Sequence, residues 1–334
     1  MAWSAVCQPR RIGGLGFHNL RWLNAALRTR WLWFQKTDPD RSWAGLRFKV
    51  MPEAASLFHA SVAITVGDGA RLSFWEDAWI DGRTAEAIAP AVVSLVKLNV
   101  RWRRRVMDGL EENAWARDIE GELSVDAVVQ YLYLWDAVHA VQRVGDQDQF
   151  RWKWTASGKF SARSAYLVFF EGSMVLLGAP QVWHSFAPLK FRLHAWFALR
   201  DRCWTADRRL RRGLVSHTLC PLCLTEDETM EHLALRCTYA GAIWAGLNAR
   251  LGVSLPVSDA TSSLATWWPA AVQPLSSKDQ KTANSLVMLV LRSLWLERNA
   301  RVFERNAMPW GRVLDLIIED WSLWASCRCR PSRE

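Results

Sequence analysis

Four residues, Cys220, Cys223, His232 and Cys237, spell C-x2-C-x8-H-x4-C, and a chain with that spacing has few ways to fold around it. A C-x2-C turn can present two thiolates to one ion, and an imidazole plus a third thiolate would complete the tetrahedral shell of structural Zn2+. With every position taken by protein, such a centre staples the chain and activates no water. Thr225-x-x-Glu228 has the form of a capping box and predicts a helix leading into His232. Five residues on, a regular helix would leave Cys237 about 140° away from His232. The helix must therefore end, bend or distort near Arg236 if both are to reach one ion. The competing reading is two unrelated thiols and a core histidine. Seven cysteines, an odd number, favour reduced thiols and metal ligation over a disulfide framework. Cys7 and Cys203 fall outside the spacing, and His217 is a possible substitute ligand.

Charge points to a partner class. The chain has a formal charge of +9 and a pI near 9.5, a bias that suits polyanionic partners, nucleic acid first among them. Being 50% hydrophobic and 22% charged, it can bury real cores and is no disordered tail. The longest clean apolar stretch, Leu286 to Leu291, stops at Arg292, far short of the roughly 18 residues a membrane span needs. The N-terminal residues lack the apolar region and small-residue cleavage site of a secretory signal. The 22 tryptophans, spread from Trp3 to Trp324, serve either as anchors of several small cores or as a surface for another protein, and composition does not decide between these.

Motifs for catalysis are missing. No Tyr-x-Asp-Asp occurs, the four tyrosines are each followed by non-acidic residues, and no Asp-Asp pair, P-loop, G-x-S-x-G or H-E-x-x-H is present. The expectation is a chain without polymerase, nuclease or ribonuclease H activity and without a small-molecule substrate.

Along the chain, residues 1–36 carry six basic residues and no acid. Gly13, Gly14 and Gly16 mark a turn before an amphipathic helix whose inner stripe is predicted as Leu20, Leu23, Leu27, Trp31 and Phe34. Residues 62–66 and 71–75 flank Gly67-Asp68-Gly69 as a predicted hairpin, and a second is predicted around Phe150, Trp152, Trp154 and Phe160. Ser161 is a helix cap, Arg101 to Arg105 a basic spot that is either a solvated helix end or a nucleic-acid grip, and His194 a packed core histidine. Lys190, Arg192, Arg200, Arg202, Arg208, Arg209, Arg211 and Arg212 stand against only Asp201 and Asp207, a net +6 just before the cysteine turn. These eight are the predicted phosphate contacts; the alternative pairs the arginines with Glu226, Asp227, Glu228 and Glu231. Cys327-Arg328-Cys329 lies at an Arg-rich terminus expected to fray.

Further runs of residues resemble a known family. They include Lys153-Trp154, Ser157-Gly158-Lys159-Phe160-Ser161, Ser164-Ala165-Tyr166, Trp183, Pro188-Leu189-Lys190, Trp196 and Thr205-Ala206-Asp207-Arg208-Arg209-Leu210-Arg211-Arg212-Gly213. Cys220, Cys223, Glu228-Thr229, His232-Leu233, Cys237 and Trp244 continue the order. The chain thus resembles the C-terminal part of plant LINE-type (non-LTR) retrotransposon polyproteins, with their reverse-transcriptase zinc-binding domain over residues 150–246. Gly13-Gly14-Leu15-Gly16, Asn19-Leu20, Val66-Gly67-Asp68-Gly69 and Phe74-Trp75-Glu76-Asp77 are similar to the region after the polymerase in those elements. Trp295-Leu296-Glu297-Arg298-Asn299 and Phe303 are similar to their closing segment. The resemblance implies an endonuclease and a polymerase upstream, a chain that begins after them at an internal methionine, and zinc ligands at Cys220, Cys223, His232 and Cys237.

The expected fold is α+β: mainly helical, with short β-hairpins and a small zinc-stapled module. Its expected parts are a basic helical segment (1–50), a hairpin and helical connection (60–148), the zinc-binding domain (150–246), a linker or insertion (250–284) and a C-terminal helical segment (285–334). The expected function is non-catalytic binding of RNA or DNA, with a retroelement polymerase as a possible second partner. A tryptophan-rich protein-interaction module and a degenerate open reading frame are the alternatives.

Overall fold

The structure is a computed structural model, described for residues 2–38, 40–43, 50–144, 146–214, 217–253, 255–256 and 263–328. Among the described residues it is mainly helical with one two-stranded sheet, and its backbone contacts divide it into two units, residues 18–171 and residues 1–17 with 172–334.

In the 18–171 unit, Asn19 caps the Leu20–Thr37 helix by accepting from the amides of Arg21 and Trp22. The helix is where periodicity placed it, but it is rotated. Its buried residues are Ala25, Ala26, Thr29 and Trp33, while Leu20, Leu27 and Trp31 are exposed. Small side chains allow close approach to the Pro52–Ser61 helix, and Thr29 Oγ1 donates to the carbonyl of Ala25 within the closed contact. A pattern weighted by large apolar residues misses such a face.

The first predicted hairpin does not form. Strand β1 (Val62–Thr65) pairs antiparallel with β2 (Gln149–Trp152), Val62 opposite Trp152 and Thr65 opposite Gln149. Asp148 explains the change of partner. Its buried carboxylate accepts from the amides of Gly67, Gly69 and Arg71, so the loop after β1 is closed by a residue next to β2. At Gly67 a Cβ would lie 2.3 Å from the backbone of Gln147, which explains why only glycine fits there. Asp68 does sit in a turn, accepting from Ala70 N. At the second predicted hairpin the chain reverses, with Trp152 N donating to Gly158 O, but no second strand follows.

Leu72, Phe74, Trp75, Trp79 and Trp115 fill the core of this unit. Trp75 Nε1 donates to Asp118, which also pairs with Arg104. Arg101 donates to the carbonyls of Val93 and Val96. Two of the arginines in the 101–105 basic spot are thereby committed to packing. Ser161 caps the Ala162–Val168 helix as expected.

The second unit is organised by the Ser277–Asn299 helix, whose Leu286 to Leu291 run is entirely buried. Helices Leu189–Leu199, Thr238–Leu251, Leu264–Val272 and Trp310–Arg328 accompany it. The Gly13-Gly14 turn also belongs here: Gly13 O accepts from Trp196 Nε1 at 2.7 Å and from Arg200 at 2.8 Å. Residues 264–284, expected within a linker, form part of this core. Ser263 and Thr266 make a reciprocal capping box, and buried Trp268 donates to Asn284, which donates to His184 O. Within that stretch, residues 254 and 257–262 lie outside the described residues, as does Cys329. His194 is packed as expected, with Nε2 3.9 Å from Cys203 Sγ. Burial, aided by Arg292, pushes it down to about 3. No helix among the described residues is long and apolar enough to cross a membrane.

Candidate metal centre

Cys220 opens a tight turn in which Leu224 N donates to Cys220 O and Leu222 N points at Cys220 Sγ, 3.4 Å away. The turn is anchored behind itself, since Cys220 N donates to Glu226 O and Glu228 N to Thr218 O. Thr225 and Glu228 do not form the predicted capping box. Thr229 takes that place, its Oγ1 accepting from His232 N. Glu228 is instead buried in a bidentate pair with Arg298, at 2.6 and 3.1 Å. Sequence reading missed this pair because its members are 70 residues apart.

The distortion required between His232 and Cys237 is a π turn. Residues His232–Arg236 are π-helical, and Cys237 N donates to His232 O at 2.8 Å. One extra residue per turn brings Cys237 to the face that His232 occupies. The turn leaves carbonyls without helical partners, and Trp244 Nε1 satisfies that of Ala234.

The donor atoms of Cys220, Cys223, His232 and Cys237 all lie within 4.8 Å of one another, with His232 Nε2 3.3 Å from Cys223 Sγ. Cys220, His232 and Cys237 are buried and Cys223 is half-buried. Burial works against a Cys223 thiolate, but the hydroxyl and amide of Thr225 and the Glu226 amide outweigh it and hold the thiol below its usual range. Cys237 is lowered by its hydrogen bond with Cys220 and, against burial, by the Ala240 and Tyr239 amides. Cys220, the partner in that bond, is pushed up to about 12, with burial adding to the rise. Burial disfavours a charged His232, yet Cys220 and Cys223 hold it up at about 9. Three sulfurs and an imidazole that compete for protons at this range suit a thiophilic cation. Glu226 Oε2 lies 3.2 Å from His232 Nδ1, close enough for an ion pair though off the hydrogen-bond direction. The residues therefore fit Zn2+, with three thiolates and Nε2 as ligands. His217 is exposed, Cys7 and Cys203 are buried elsewhere, and none of them joins the cluster.

The eight basic residues from Lys190 to Arg212 do not form one surface of free charge. Arg192 donates to the carbonyls of Ala187 and Ser185, and Arg200 to that of Gly13. Arg208 pairs with Asp201 at 2.6 Å and Arg211 with Asp207 at 2.7 Å. Lys190, Arg202, Arg209 and Arg212 have no carboxylate partner among the described residues. Arg212 lies over the half-exposed ring of Trp204, 5.2 Å from its centroid. The acids of 226–231 are not the partners of these arginines; Asp201 and Asp207 are.

Residues 160–244 match the family described as zinc-binding in reverse transcriptase, and the matched span contains all four ligands. An Arabidopsis thaliana protein named as a ribonuclease H protein is 23% identical over 276 residues, 72% of this chain and 43% of that protein. The chain thus spans less than half the length of this curated relative. No solved structure matches it. The two matches support a retrotransposon-related chain.

Proposed function

We propose that the chain is a zinc-stabilised, non-catalytic nucleic-acid-binding fragment of a LINE-type (non-LTR) retrotransposon polyprotein. The observation that carries this reading is the convergence of Cys220, Cys223, His232 and Cys237, with donors within 4.8 Å, inside a segment matching a reverse-transcriptase zinc-binding family. Four protein ligands fill a tetrahedral shell and leave no position for a reacting water, so zinc here is structural. The Lys190, Arg202, Arg209 and Arg212 side chains are the phosphate contacts, and RNA or DNA is the partner.

Zinc stoichiometry combined with RNA titration at several salt concentrations tests the proposal. One zinc per chain and salt-dependent RNA binding are expected. Each phosphate contact on a single strand contributes a slope of about −0.7 in log affinity against log salt. Replacing Lys190, Arg202, Arg209 and Arg212 by Gln is expected to flatten that slope with zinc retained. Replacing Arg208 and Arg211 instead is expected to lower the melting temperature and keep the slope, because their charge is already matched by Asp201 and Asp207. An unchanged slope in the first variant would remove this surface from the reading.

The same purified chain is expected to show no template-dependent nucleotide incorporation and no RNA cleavage. Activity lost on substitution of its own acids would overturn the non-catalytic assignment. A second reading, docking on a retroelement polymerase or another protein, is favoured by the Val125–Ala140 helix, which exposes Val125, Val129, Leu132 and Tyr133. Salt-independent, RNA-free behaviour in the titration would move the balance to it.

A further inference from the structure

The closing segment that begins at Trp295 lies outside the matched 160–244 span, yet its side chains reach the metal cluster. Arg301 is the clearest case. One terminal nitrogen donates to both Pro221 O and Leu222 O, each at 3.1 Å. Its other terminal nitrogen donates to Met308 O at 2.9 Å, and Nε to Glu297 Oε1 at 2.7 Å. The guanidinium carbon also sits 4.7 Å from the centre of the Tyr239 ring. Tyr239 follows the last ligand by two residues, and its hydroxyl donates to the same Met308 carbonyl.

The two carbonyls are informative because each belongs to a rigid peptide plane. Pro221 C=O shares its plane with Leu222 N–H, and Leu222 C=O shares its plane with Cys223 N–H. Both of those amides face the sulfur of Cys220. Fixing the carbonyls therefore fixes the donors that stand behind the first ligand. At its other side Arg301 packs on the ring adjoining Cys237. A guanidinium can hold this set because it is planar with five donors; an ammonium has a single donor centre. Arg301 is itself fixed by Glu297, which is buried and also accepts from Met308 N at 2.9 Å.

We propose that Arg301 is a positioning residue of the zinc centre, tying the Cys220–Cys223 turn to the segment that carries Cys237, a proposal that rests on the reading of the cluster as a zinc site. The centre is then completed by the closing segment. Arg301 acts by orienting peptide planes around the ligands, a role that outer-shell hydrogen bonds commonly play at metal sites.

The test uses the whole 334-residue chain with Arg301→Lys, Arg301→Ala and, as control, Arg250→Ala, which removes an exposed pair with Asp315. Zinc affinity is measured by competition with a chromophoric chelator, and ligand geometry by the absorption spectrum of the Co2+-substituted protein. Outer-shell losses typically weaken metal binding about 10- to 100-fold. Arg301→Lys is expected near the low end with an altered Co2+ spectrum, Arg301→Ala near the high end, and Arg250→Ala unchanged. If Arg301→Ala does not fold, Arg301→Lys decides alone. Wild-type zinc affinity and spectrum in Arg301→Lys overturn the positioning role and leave the zinc reading intact. Absence of zinc binding by the wild-type chain overturns both.

Discussion

Cys223→Ser in the 334-residue chain is expected to lose its bound zinc and to unfold at a markedly lower temperature than the parent. The hydroxyl of serine does not ionise near neutral pH and offers a hard oxygen where zinc takes a soft thiolate. Cys223 is the least buried ligand, so the substitution leaves little unfilled core behind it, and the measured loss reports the metal. Structural zinc contributes about 10 to 16 kcal/mol of apparent binding free energy in isolated zinc-finger peptides. A smaller loss is expected here, on the order of several kcal/mol, because the Leu286 to Leu291 core persists without the ion. Cys203→Ser provides the control: it alters a buried thiol outside the cluster and should keep zinc at wild-type stoichiometry. Metal analysis showing undiminished zinc in Cys223→Ser would sink the ligand assignment.

The cluster was the most legible part of the chain because its geometry is local. Eighteen residues contain all four ligands, and the mismatch between a five-residue step and a regular helix already demanded a distortion where the π turn is found. Helix caps at Ser161 and the turn at Asp68 were legible for the same reason, each depending on residues two or three apart. What could not be read is non-local. β1 takes its partner from residues 149–152 because Asp148 claims the amides of the intervening loop, and no short-range pattern records that choice. The inner face of the Leu20–Thr37 helix was misread because alanines at 25 and 26 are weak in hydropathy but strong in close packing. Charge counting erred in a related way. A sum over residues 190–212 treats Arg200 and Arg212 alike, although one is bound to the Gly13 carbonyl and the other lies over the half-exposed Trp204 ring.

Arg298→Met is expected to cost about 3 to 5 kcal/mol in zinc-saturated protein, the range for breaking a buried ion pair by removing one partner. Arg298 and Glu228 are each about 1% exposed and are joined by two hydrogen bonds, so the carboxylate has no exposed face to offer water. Methionine would fill much of the space between Trp295 and Phe303, whose rings flank the arginine. The cost therefore arises from the stranded Glu228 carboxylate more than from a void. Removing that carboxylate as well should return part of the loss, since replacing a whole buried pair by groups of similar volume is often close to neutral. Glu228→Met combined with Arg298→Met is thus expected to be more stable than Arg298→Met alone. Glu228 keeps its backbone bond to Thr218 O in every variant, so the turn behind Cys220 survives and zinc stays bound. Denaturant unfolding of the two single variants and the double variant gives the coupling directly. An Arg298→Met chain within 1 kcal/mol of wild type, on the order of a single ordinary hydrogen bond, would show that the pair is solvated and that the closing segment is not locked to the zinc turn through Glu228.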